Sequence, residues 1–72
     1  MTTDWNGEAK GILKAEIARR SITYKQIVEA LATQGTVETE ANLRNKISRG
    51  GFSAGFFIQC LKAIGVQSLR LD

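Results

Sequence analysis

A chain of 72 residues has room for one domain, expected to span 1–72, with a core that is small for its surface. One cysteine and no histidine exclude an internal disulfide and a histidine-containing zinc site, so capped helices and self-association are the remaining supports. Hydrophobic content of 43%, charged content of 24% and the absence of proline describe a globular, helix-favouring chain, and the formal net charge of +3 permits a polyanionic partner without proving one.

Four helical segments follow in chain order. The first runs from about Asp4 to Arg20, with Asp4 as N-cap. Trp5, Ala9, Ile12, Leu13 and Ile17 fall on its apolar face, and Lys10, Lys14 and Glu16 lie largely off it. Gly7 and Gly11 weaken its start. The second helix opens on Thr23-Tyr24-Lys25-Gln26, which reads as a capping box, with Ile22 and Ile27 placed as a hydrophobic staple. Tyr24, Ile27, Val28 and Leu31 form its stripe, and Gly35 is a natural stop.

A short third helix is expected from Thr39, its cap, to Arg49-Gly50, with Glu40 at its positive end. It carries two strongly apolar residues, Leu43 and Ile47. The fourth is capped by Ser53, with Phe52 and Phe57 in staple positions. Its broad apolar face is Phe56, Phe57, Cys60, Leu61 and Ile64. Gly65 is its left-handed stop, with Val66 folding back on Leu61. Gln67 to Asp72 alternates apolar and polar residues, which suits a short extended C-terminal tail. The fold class expected is therefore all-α, a compact bundle of four helices.

The outward side of the third helix carries the chemistry. With Leu43 and Ile47 inward, a rotation of 100° per residue puts Asn45 nearly opposite. Ala41, Asn42, Ser48 and Arg49 flank it, and Arg44 and Lys46 lie at the two edges. Amides in the middle and cations at the margins suit a major groove: asparagine bonds bidentately to adenine, alanine touches a thymine methyl, and cations grip phosphates. A merely solvated polar face fits the same residues as well.

Three stretches tip that balance. Leu31-Ala32 precedes a glycine-containing turn; Leu43 to Ser53 includes Ile47-Ser48-Arg49-Gly50; and Leu61-Lys62-Ala63-Ile64-Gly65-Val66 closes the fourth helix. Together they resemble the Cro/cI repressor-type helix-turn-helix family (XRE-like, lambda-repressor-like), including its small uncharacterised prokaryotic and phage members. The resemblance covers roughly Ile12 to Val66, with Ile17 to Arg20 and Thr23 to Ile27 resembling the first two helices. It implies sequence-specific binding of double-stranded DNA by a small transcriptional regulator, usually as a two-fold homodimer. Tyr24, Lys25, Ala41, Asn42, Arg44, Asn45, Lys46 and Arg49 would be the DNA-binding residues: Asn42 and Asn45 on bases, Arg44, Lys46 and Arg49 on phosphates, Lys25 and Tyr24 adding contacts. The sequence departs from the family in three ways. Its stretch from Leu31 to Ile47 is about six residues longer than the usual tight turn. Leu43 and Ile47 are four apart where the family has three, and Tyr24 stands where it often has glutamine.

Other constellations are weaker. Cys60 lies on an apolar face with no histidine to activate it, and Glu38 and Glu40 suit a helix N-terminus better than acid-base work, so no enzyme, metal or cofactor is expected. Trp5 reads as core or as a dimer contact, and Phe56, Leu69 and Leu71 as spare apolar groups for a dimer. Arg19-Arg20 could grip phosphate, with a solvated helix end as the simpler reading. No run is long enough to span a membrane, and Met1 to Glu8 lacks a signal-peptide layout, so a cytoplasmic protein is expected. A protein-interaction module, antitoxin-like or a phage accessory factor, is the rival function. Single-stranded RNA binding ranks third, because stacking aromatics on an exposed sheet are missing.

Overall fold

In the computed structural model, which describes residues 3–71, each helix begins where a side chain can satisfy its first free N–H groups. Asp4 accepts from the Gly7 N–H at 3.0 Å and opens α1 (Trp5–Arg19). Thr23 opens α2 (Tyr24–Thr33) with both halves of the capping box formed: its hydroxyl accepts from the Gln26 N–H, and the Gln26 side chain accepts from the Thr23 N–H at 2.8 Å. Thr39 opens α3 (Glu40–Arg49), and Ser53 opens α4 (Ala54–Ala63), each accepting from the N–H three residues on at 3.0 Å.

The ends are equally local. Gly35, Gly50 and Gly65 all take positive φ, and the Val66 N–H reaches back to the Leu61 carbonyl at 2.9 Å. After α1 there is no glycine, and Ser21 takes the left-handed position at φ 52°, with the Ile22 N–H bonded to the Ile17 carbonyl.

Packing then follows the stripes. Leu13, Ile27, Leu31, Leu43, Ile47, Cys60, Leu61 and Ile64 form one buried core drawn from all four helices. Ile17, Ile22, Tyr24, Val28, Phe52, Phe56, Phe57 and Leu69 pack around it, and the Phe52 and Phe57 rings stack 5.8 Å apart. The backbones of α1 and α2 each run close to both α3 and α4, while α1 does not approach α2, nor α3 approach α4. The chain is thus an all-α bundle of four helices, with no strand among the described residues.

Two residues of α1 depart from the periodic reading. Trp5, expected on the apolar face, is 72% exposed, because no helix covers the first turn of α1 on that side. Glu16, expected off that face, is buried, and its carboxylate takes Arg19 at 2.6 Å and Arg20 as partners. A buried carboxylate is tolerable because two guanidiniums one turn away neutralise it. The tail from Gln67 forms no strand: Leu69 packs on the core and Leu71 stays exposed, while Asp72 lies outside the described residues.

Candidate nucleic-acid interface

Only Leu43 and Ile47 of α3 are buried, and both are fully so. Ala41, Asn42, Arg44, Asn45, Lys46, Ser48 and Arg49 are all exposed. The side chains of Asn42, Asn45 and Arg49 make no hydrogen bond or ion pair among the described residues. Arg44 lies over the Tyr24 ring, 5.1 Å from its centroid, which ties the outer face of α3 to the first residue of α2. Lys25, next along, is exposed. All eight sequence-predicted site residues therefore belong to α3 or to the opening turn of α2, and Arg44 and Tyr24 join the two.

Lys46 is different from the other cations. Its ammonium pairs with the nearly buried Glu38 carboxylate and lies 5.1 Å from the centroid of the Phe56 ring. Glu38, read from sequence as helix-end charge, is thus a strut between the α2–α3 connection and α3. That connection is held from α4 as well: the Gln59 amide donates to the Thr36 hydroxyl, and the Gln34 amide donates to the Gln59 carbonyl at 3.5 Å. The long linkage between the second and third helices is consequently fixed and not slack.

The far end of α3 docks on α1. The Lys10 ammonium donates to the Ser48 carbonyl at 3.2 Å, satisfying one of the free acceptors at the helix C-terminus and opposing its dipole. Gly50 sits at φ 73° with its Cα so close to α1 that a Cβ would lie 2.8 Å from the Asn6 carbonyl oxygen. Beyond it, Lys46, Arg49, Gly51, Phe52, Ser53 and Phe56 line a cavity of about 370 Å³.

Sequence reasoning missed Glu38, Gln59 and Lys10, which act across 8, 23 and 38 residues, separations that carry no local pattern. Glu16 did leave a signal, since arginines three and four residues on are the spacing of a helical ion pair.

Cys60 is fully buried among apolar neighbours. Burial pushes its thiol up from 9.0 to about 11, the Glu38 carboxylate pushing the same way and Lys46 opposing. At pH 8 iodoacetamide is expected to leave the native protein unmodified and to alkylate Cys60 in denaturant. Because the folded pKa is raised, the neutral thiol's contribution to stability is complete below about pH 9 and is lost as pH rises through about 11. The denaturation midpoint should fall over that window, and fall less in Cys60→Ala. Equal falls in both proteins would remove the thiol as the cause.

Among the described residues no group of three or more Cys, Asp or Glu side chains could hold a metal ion, and no helix is long and apolar enough to cross a membrane. What fold and surface define is a small all-α domain with a polar, partly cationic helix presented on one side. The chain belongs to the DUF6471 family, a domain of unknown function, whose model matches residues 5–69. No curated protein and no solved structure matches it.

Proposed function

We propose that this domain binds double-stranded DNA sequence-specifically through α3, in the manner of a helix-turn-helix regulator of transcription. The observation that carries the reading is the state of Asn42, Asn45 and Arg49: exposed, without a side-chain hydrogen bond or ion pair among the described residues, and on a helix that buries two residues only. Asn45, opposite the buried stripe, and Asn42 are placed to read base edges. Arg49 and Arg44 are placed for phosphates, with Lys25 and Tyr24 extending the contact to α2. Lys46 would exchange Glu38 for a phosphate to take part, so its contribution is the smallest of the cations. Ala41, exposed in the first turn, is small enough to meet a thymine methyl.

One observation favours a protein partner. Trp5 and Leu71, 72% and 80% exposed, line a groove with Ile12 and Phe57. A second copy binding a second half-site would bury apolar surface there, and so would an unrelated protein in an interaction module.

Titration against labelled random-sequence duplex at several salt concentrations separates these readings. Arg44→Ala and Arg49→Ala should each reduce the slope of log affinity against log salt by about one. Asn45→Ala should cost about 1–3 kcal/mol of preference for a site selected from a random pool over random-sequence duplex, while leaving the salt slope in place. A folded protein that fails to bind duplex even at low salt would overturn the DNA reading and leave the protein partner.

A further inference from the structure

Among the described residues four large apolar side chains are exposed: Trp5, Val37, Ile58 and Leu71. Two of them, Trp5 and Leu71, line a single groove of about 230 Å³ with Glu8, Ala9, Ile12 and Phe57. Small-molecule sites usually run from about 300 to 1,000 Å³, so this groove is sized for one side chain. The backbones of α3 and α4 approach α1 elsewhere, and no helix closes the groove over its first turn.

Its polar groups are complementary to each other and unused. The groove carries one donor, the Trp5 indole N–H, and one carboxylate, that of Glu8. Neither side chain has a hydrogen bond or ion pair among the described residues. Gly11, three residues on from Glu8 and so beside it on the helix surface, adds a second sign. It stands mid-helix, where glycine is less favourable than alanine. A Cβ at Gly11 would meet nothing within 4 Å, so nothing inside the chain calls for its absence. A second backbone passing close to α1 would call for it.

We infer that two copies of the chain meet here across a two-fold axis, the Trp5 indole of each entering the groove of the other. A two-fold interface needs a protrusion and a matching recess on the same patch, whereas an unrelated partner needs the recess alone. Trp5, 72% exposed at the mouth of the groove, supplies the protrusion. Each indole then packs on Ile12, Phe57 and Leu71 of the other copy, and its N–H donates to the other copy's Glu8. The two α1 helices cross near Gly11, where their backbones can come close. An aromatic side chain buries about 150–250 Å², and the symmetry counts it twice. The total falls at the low end of specific interfaces, about 1,200 Å² or less, so the pair forms and dissociates with concentration. Pairing of this kind needs no DNA and is separate from the α3 reading.

Trp5 is the one tryptophan of the chain, so its fluorescence reports on this face directly. The test is sedimentation equilibrium of the full chain, with tryptophan emission, from about 1 μM to 1 mM. The mass is expected to rise from monomer to dimer, with emission moving to shorter wavelength over the same concentrations. Association should persist between about 50 and 200 mM salt, a range over which duplex binding falls steeply. Trp5→Ala should weaken it by at least about a hundredfold, since a central anchor lost from a two-fold pair is lost twice. Leu71→Lys should act in the same direction. Both residues are exposed in the single copy, so both variants are expected to fold. Gly11→Ala should raise the melting temperature of the dilute chain while weakening association, a split that a purely local role for the glycine would not give. A monomer mass at every concentration, or emission that does not move, would overturn the pairing and leave the groove to another protein. A dimer indifferent to both Trp5→Ala and Leu71→Lys would overturn it equally, by placing the interface elsewhere.

Discussion

Gly50→Ala is expected to lower the melting temperature by about 10 °C or more, since each kcal/mol shifts a domain of this size by about 4–8 °C. Two costs add. A left-handed conformation costs an alanine about 1–2 kcal/mol, and Gly50 sits at φ 73°. The new Cβ would also lie 2.8 Å from the Asn6 carbonyl oxygen and 3.2 Å from the Lys10 Cβ, so α3 and α1 must separate. Overpacking of that kind costs about 1–3 kcal/mol. Gly35 is the internal control, with φ 86° and open space where a Cβ would go. Gly35→Ala should therefore show the backbone cost alone. Thermal melts of the two variants side by side give the difference, and equal melting points would mean that α3 and α1 do not approach as described.

Leu43→Ala is expected to remove about half of the stability of the domain. A fully buried leucine replaced by alanine costs about 2–5 kcal/mol, and a chain of this length has about 4–11 kcal/mol in all. The loss falls on the helix least able to bear it, because α3 has only Ile47 as a second anchor, whereas α4 buries Cys60 and Leu61 and packs Phe56 and Phe57 as well. Denaturant unfolding followed by circular dichroism measures it, with Ala41→Ser on the outer face as a substitution expected to change little. A midpoint for Leu43→Ala close to that of the unaltered chain would show that α3 is not held by this stripe.

Much of the fold is legible because its determinants are local. Asp4, Thr23, Thr39 and Ser53 each cap a helix through an N–H three residues away, and periodicity four apart finds Leu43 and Ile47. The end of α1 was less legible, since a serine and not a glycine takes the left-handed turn there. Periodicity also misplaced Trp5 and Glu16, because it states which side of a helix a residue occupies and not whether anything covers that side. The candidate interface divides in the same way. The outward placement of Asn42, Asn45 and Arg49 follows from the helix period, while the engagement of Lys46 depends on Glu38, which reaches it from a loop. The stacking of Arg44 on Tyr24 joins residues 20 positions apart on different helices, where spacing offers no guide.

The pairing of helices has a consequence for how the chain can be divided. Since α1 meets α3 and α4 but not α2, and α3 meets α1 and α2 but not α4, a cut in the connection between Thr33 and Glu40 yields two pieces of unusual kind. Neither piece contains two helices whose backbones touch, so neither can shelter its own apolar stripes, and every interhelical backbone approach of the intact chain is made between one piece and the other. Order in either half is thus borrowed from its complement, and the domain has no smaller autonomous folding unit.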